Sequence, residues 1–181
     1  MKFLETDLAG AFLIELERHV DERGFFGRSY AEDEFGARGL PTRWPQSNLS
    51  RNTRRHTLRG LHYAAVPHRE AKLVRCVRGA IWDVMVDLRA GSPTRFRWFG
   101  AELTAEAGNA LFVPEGFGHG FVTLTDEADV LYQVTELYTA AAGRGMRFDD
   151  PRVGINWPVK PLHINERDRT YPDFDDTTFD G

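Results

Sequence analysis

Three residues in one short stretch have the types that proton transfer beside a negative charge requires. Arg59, His62 and Lys72 stand between Arg54 and Arg78, where Arg, His and Lys recur among Leu, Val, Tyr and Cys at strand-like spacing. A solvated charge run lacks that apolar interleaving. Cations set into an apolar sheet point to an anionic ligand, and an imidazole among them points to chemistry near neutral pH. Strict alternation over residues 57–63 would put Arg59 with Leu61 and Tyr63 on one face, and His62 with Leu58 on the other. For Arg59 and His62 to serve one site, Gly60 must permit a bulge or bend that re-aims one of them. Spacing alone is equally compatible with a rim cation and a hydrogen-bonded core histidine.

Further along, Lys72, Val74 and Cys76 share a strand face, as do Ile81, Asp83, Met85 and Asp87. A lysine or aspartate facing an apolar interior is unfavourable unless paired or used, so Lys72 is expected to pair with Asp83 across a turn. Pro114, Gly116 and His119 have the spacing of the second half of the cupin signature, whose histidine is often a metal ligand. The first half needs two histidines and a nearby glutamate to complete a donor set. Here His62-Tyr63-Ala64 supplies one histidine, and His68 and Glu70 follow at other spacings, so no metal site is expected. Tyr132 shares a face with Val130 and Val134. Such a tyrosine is ordinarily core with its hydroxyl at an edge, yet a phenol is also a suitable proton donor to an enolate carbon.

The elements that must hold these residues read as strands. Runs at 71–78 and 80–88 join at Gly79 as an expected hairpin, with further strands over 11–17, 95–103, 110–113, 120–124 and 130–138. A helix-like composition occurs only at 31–38 near the front. Short strands punctuated by Gly, Pro and Asn predict a mainly β fold, an antiparallel sandwich or barrel with a few short helices. The 181 residues fit one domain, 1–172, followed by an acidic, frayed tail, 173–181. A net charge of −4 makes the basic stretch a local feature and argues against nucleic acid as partner. With one cysteine, Cys76, and no long apolar span, a cytoplasmic protein without membrane association is expected.

Taken in order, eight motifs resemble the sugar nucleotide 4-keto-6-deoxyhexose epimerases, the dTDP-4-dehydrorhamnose 3,5-epimerase family, over residues 8–172. They are Asp21-x-Arg23-Gly-Phe-Phe, Gln46-x-Asn48, Leu58-Arg-Gly-Leu-His-Tyr63 and Lys72-Leu-Val-Arg-Cys-Val-Arg-Gly79. After them come Asp83-Val-Met-Val-Asp-Leu-Arg89, Pro114-x-Gly-Phe-Gly-His-Gly-Phe121, Asp149-Asp-Pro151 and Ile155-Asn-Trp-Pro158. The resemblance implies a cupin-type jelly-roll barrel that works without metal or other cofactor, as a homodimer with an exchanged strand. By matching motif it implies His62 as base, Asp168 as its orienting partner, Tyr132 as the acid on the opposite face and Lys72 at the keto oxygen. It implies Arg59 and His119 at the diphosphate, and Arg23, Gln46, Asn48 and Arg167 at further nucleotide positions. Tyr138 would stack on the base, and Arg23 would serve the neighbouring chain's site.

The expected reaction is cofactor-independent 3,5-epimerisation of a nucleoside-diphosphate 4-keto-6-deoxysugar in deoxysugar biosynthesis. The chemistry agrees with the residues: a 4-ketone acidifies the adjacent C–H, so inversion needs a base, an acid and cations, but no dinucleotide. No Gly-x-Gly-x-x-Gly motif is present. Competing readings are a single-centre epimerase or ketoisomerase, a metal-dependent cupin enzyme, and a binding module without chemistry. The chain departs from the family pattern at Arg28 and Ala64, and at Ala140 and Gly143, where Pro and Glu are usual; Arg167 replaces a usual lysine. These departures bear on which sugar and base are recognised.

Overall fold

Two neighbouring runs with apolar residues on both faces, 72–78 and 80–87, organise the fold. In a computed structural model, which describes residues 1–175, they form separate strands that enter different sheets. In chain order the strands are β1 (Lys2–Glu5), β2 (Phe12–Glu15), β3 (His19–Asp21), β4 (Gly24–Phe26), β5 (Gln46–Asn52), β6 (Thr57–Ala64) and β7 (Lys72–Arg78). They continue as β8 (Ala80–Asp87), β9 (Trp98–Thr104), β10 (Ala110–Val113), β11 (Phe117–Thr123), β12 (Ala128–Val134), β13 (Gly143–Gly145) and β14 (His163–Ile164). Helices α1 (Glu32–Gly36) and α2 (Glu166–Arg169) are each about one turn long.

One sheet runs β1-β2-β10-β7-β12-β5 and the other β13-β6-β11-β8-β9, with β14 lying parallel to β6. The remaining pairings are antiparallel, and the two sheets pack as a cupin-like jelly roll, as expected. The expected hairpin across Gly79 does not form. β7 pairs with β10 and β12, whereas β8 pairs with β9 and β11. Gly79, at φ +73°, turns the chain from one sheet into the other. Apolar residues occur on both faces of β7 and β8 because each strand lies inside its sheet and is largely covered on both sides, with Val77 exposed near the end of β7.

Three apolar layers result. Val74, Cys76, Ile81, Met85, Leu111 and Val130 fill the space between the sheets. Leu73, Phe112 and Ile14 face outward from the first sheet and are covered by Phe35 of α1. Leu61, Val84, Val86 and Met146 form the layer behind the second sheet. β3 and β4 stand apart as a two-stranded ribbon whose Val20 and Phe26 are exposed. The expected frayed tail falls partly on 176–181, outside the described residues. Before it, Phe174 is anchored: its N–H donates to Asp150 Oδ2 at 2.6 Å and its ring meets Phe96 at 5.5 Å.

Candidate active site

Side chains from both sheets line a cavity of about 600 Å³. β5, β7 and β12 of the first sheet contribute Gln46, Asn48, Lys72 and Tyr132. β6 and β11 of the second contribute Arg59, His62 and His119. The proton-transfer candidates His62 and Tyr132 therefore reach one cavity from different sheets.

Simple alternation would have separated Arg59 from His62, and a bulge brings them together. His62 pairs with His119 and Arg59 with Phe121, so Gly60 and Leu61 of β6 stand opposite Gly120 alone. Gly60 has φ +122°, and a Cβ there would lie 2.5 Å from the Gly120 Cα and 2.8 Å from the His119 carbonyl oxygen. Glycine is required at this point both by conformation and by the approach of β11. Leu61 turns into the apolar layer behind the sheet, leaving Arg59 and His62 on the cavity side.

Each of the main polar side chains has a holding partner. His62 Nε2 lies 2.8 Å from Asp168 Oδ1, and Asp168 Oδ2 accepts the Gly60 N–H at 3.0 Å. Burial pushes the Asp168 carboxyl up. The hydrogen bond and charge of His62, the Gly60 amide and Arg167 outweigh it and hold the pKa below the usual carboxylate value. An ionised carboxylate only accepts, so His62 Nε2–H is the donor and Nδ1 is left to take a proton. Asp168 itself is presented by α2, where Asn165 caps the helix by accepting the Asp168 N–H at 2.6 Å.

His119 is held in the same manner, its Nε2 lying 2.9 and 3.1 Å from the two oxygens of the fully buried Asp83. Burial pushes the Asp83 carboxyl up, against the opposing pull of His119. The expected Lys72–Asp83 pair is therefore absent. Lys72 pairs with Glu70, two residues back, because Lys72 and Asp83 belong to different sheets. Arg59 Nε donates to Asn52 Oδ1 at 2.7 Å. Burial, reinforced by the charge of Glu70 and opposed by Arg59, pushes the Tyr132 phenol up and keeps it protonated.

Gln46 and Asn48 lie along β5, with Gln46 Nε2 donating to Asn48 Oδ1 at 3.0 Å. Tyr138 is exposed at the cavity edge, its backbone N–H donating to Gln46 Oε1. Arg167 lines the cavity beside the dyad. Arg23 does not: it sits on the β3–β4 ribbon, highly exposed and paired with Asp21.

Sequence reasoning missed Ser50, Asn52, His68 and Glu70. His68 and Glu70 line the cavity. Ser50 and Asn52 did carry a signal, a period-two polar series at 46, 48, 50 and 52 along β5, ending in the buried Asn52. Glu70 and His68 carried no such signal, since they lie in the loop before β7. Ala64 and Gly143, two departures from the family pattern, stand directly opposite each other across β6 and β13, two residues along from His62.

The depressed Asp168 pKa has a definite sign for stability. Its contribution is complete above the unfolded carboxyl value, about 3.9, and is lost as pH falls through the lower folded value. Unfolding midpoints measured by urea titration from pH 6 to pH 2.5 should fall more steeply below about pH 4 in the wild type than in Asp168→Asn. Equal slopes would remove the assignment. Among the described residues, no group of three or more His, Cys, Asp or Glu side chains is arranged to hold a metal ion.

Comparison with known proteins places these features in context. The family model for dTDP-4-dehydrorhamnose 3,5-epimerase matches residues 5–176. A protein of that name from Methanothermobacter thermautotrophicus is 44% identical over 173 residues, covering 94% of this chain and 92% of that one. A dTDP-4-dehydrorhamnose 3-epimerase from Streptomyces niveus is 39% identical, covering 93% of this chain and 82% of that one. The crystal structure of dTDP-4-dehydrorhamnose 3,5-epimerase from Bacillus anthracis, with TDP and PPi bound, superposes with a TM-score of 0.91. It is 38% identical and covers 96% of this chain and 99% of that one.

Proposed function

Because the chain belongs to the dTDP-4-dehydrorhamnose 3,5-epimerase family, a family of isomerases, we propose that it inverts C3 and C5 of a dTDP-linked 4-keto-6-deoxyhexose in deoxysugar biosynthesis. The observation that carries this reading is the His62–Asp168 pair on one sheet and the protonated Tyr132 on the other, lining one cavity.

In the proposed reaction His62 Nδ1 takes the proton from the carbon beside the 4-ketone. The C–H electron pair moves into the ring, and the carbonyl oxygen becomes an enolate. Lys72 stabilises that oxygen as its charge develops. Asp168 stabilises the imidazolium without itself taking the proton. Tyr132 gives its phenolic proton to the same carbon from the opposite side, so the stereocentre inverts. Proton exchange of His62 and Tyr132 with water then resets both groups, and no electrons leave the substrate, so no redox cofactor is needed.

Binding follows from charge. Arg59, Lys72, Arg144 and Arg167 line the cavity against Glu70, a cationic interior in a chain of net charge −4. Arg59 and His119, pre-positioned by Asn52 and Asp83, are assigned to the diphosphate. Gln46, Asn48 and Arg167 are assigned to the nucleotide, with Tyr138 stacking on the base. The exposed Val20 and Phe26 of the ribbon support a homodimer in which this segment crosses over and Arg23 serves the neighbouring cavity. The buried, reduced Cys76 accords with a cytoplasmic enzyme.

A 3-epimerase among the relatives keeps single-centre inversion as the second reading. One experiment decides between them. Wild-type enzyme incubated in D2O with dTDP-4-keto-6-deoxyglucose, followed by NMR, is expected to carry deuterium at both C3 and C5. Deuterium at C3 alone would establish the single-centre reading, and no incorporation at either would overturn the proposal.

A further inference from the structure

The Tyr171 ring occupies a place that the mechanism above does not explain. It lies past the C-terminal end of α2, three residues after Asp168. Its ring centroid is 6.4 Å from that of His62, at an edge-on angle of 73°. Its far end lies over Gly145, where any Cβ would run into the ring. Gly145 is the residue of β13 directly opposite His62. The Arg167 guanidinium lies over the ring, 5.7 Å from its centroid. The Tyr171 hydroxyl is buried, with the Arg167 guanidinium as its polar neighbour.

α2, at four residues, is too short to be stable or well placed through its own hydrogen bonds. Its position has to come from contacts at its ends. Asn165 fixes the first end by capping, and β14, just before it, is tied to β6. Tyr171 is the aromatic weight at the second end. Seated on Gly145, it closes the angle between α2 and β6 within which Asp168 meets His62. The ring is the part of Tyr171 that meets both His62 and Gly145, and so the part that can hold this angle.

We propose that Tyr171 is a positioning residue for the His62–Asp168 pair, acting by packing its ring into the space left by Gly145. The catalytic consequence rests on the reading of His62 as base; the geometric one does not. A displacement of about 1 Å at a reacting group costs on the order of 10²-fold in rate. Tyr171→Ala is therefore expected to lower kcat about 10–100-fold, with a smaller rise in KM, because Arg59 and His119 at the diphosphate are untouched and only Arg167 loses a neighbour. Tyr171→Phe, which keeps the ring, should keep wild-type kcat. Gly145→Ala, which drives the ring out, should reproduce the Tyr171→Ala loss. In the Tyr171→Ala background the same substitution should add nothing.

The test combines deuterium exchange kinetics with imidazole 1H–15N NMR of the full chain, which reads the His62–Asp168 hydrogen bond without substrate. The expected result is a His62 signal that moves or broadens in Tyr171→Ala and Gly145→Ala and is unchanged in Tyr171→Phe. An unchanged His62 signal in Tyr171→Ala overturns the proposal, as does loss of kcat in Tyr171→Phe. Additive losses in the double variant overturn it as well. A His62 signal that responds in a chain with no turnover would support the positioning role and overturn only the functional reading.

Discussion

His62→Ala is expected to lower kcat for epimerisation by about 10²–10⁴-fold, the range supplied by a positioned general base. The loss should fall on kcat, with KM little changed, because Arg59 and His119 are held by Asn52 and Asp83 independently of the dyad. Deuterium uptake from D2O into the substrate ring, followed by NMR, measures it directly, and titration with dTDP checks that the cavity still binds. Tyr132→Phe supplies the contrast. With the base intact and the opposite acid gone, the carbon should still exchange its proton through His62, returning to the starting stereochemistry. A His62→Ala enzyme that exchanges at the wild-type rate would remove His62 from the mechanism.

Gly60→Ala should be the most damaging single methyl added to this chain. The new Cβ would be 2.5 Å from the Gly120 Cα, in backbone that cannot move aside as a side-chain end could. A non-glycine residue at φ +122° adds conformational strain. Strain and overpacking are each on the order of 1–3 kcal/mol, so a combined destabilisation of about 2–6 kcal/mol is expected. That is a large share of the ~5–15 kcal/mol that holds a typical domain folded. Urea unfolding measures it. Protein that does fold should show weakened His62–Asp168 coupling, since Asp168 Oδ2 accepts the Gly60 N–H. A loss below about 1 kcal/mol would show that β11 is not fixed against β6 as described.

Much of the fold was legible because strand patterns are local. The runs at 71–78, 80–88 and 110–113 were recovered with shifts of a residue or less. Pairing was not legible. A glycine between two apolar strands reads as a hairpin, and nothing in residues 71–88 says that both faces of each strand will be covered. That depends on layers contributed from the chain's beginning, through Ile14 and Phe35, and from its later part, through Met146. The misplaced Lys72–Asp83 pair follows from the same fact.

The sequence by itself supplied the candidates for the chemistry: His62 near a glycine and an arginine, Tyr132 on an apolar strand, and Asp168 through the family motifs. Residue type and spacing are properties of the chain, and the motifs that carry them are contiguous. Tertiary structure alone decided how they meet. The bulge at Gly60 is defined by the approach of Gly120 on another strand, so no local period could report it. The partner of His62 comes from 106 residues away, and that of His119 from 36. Tyr171 reaches His62 through Gly145, a contact among three separate segments. Such contacts depend on which sheet receives each strand, and that choice is made by burial of the whole chain, where no single stretch of sequence has the information.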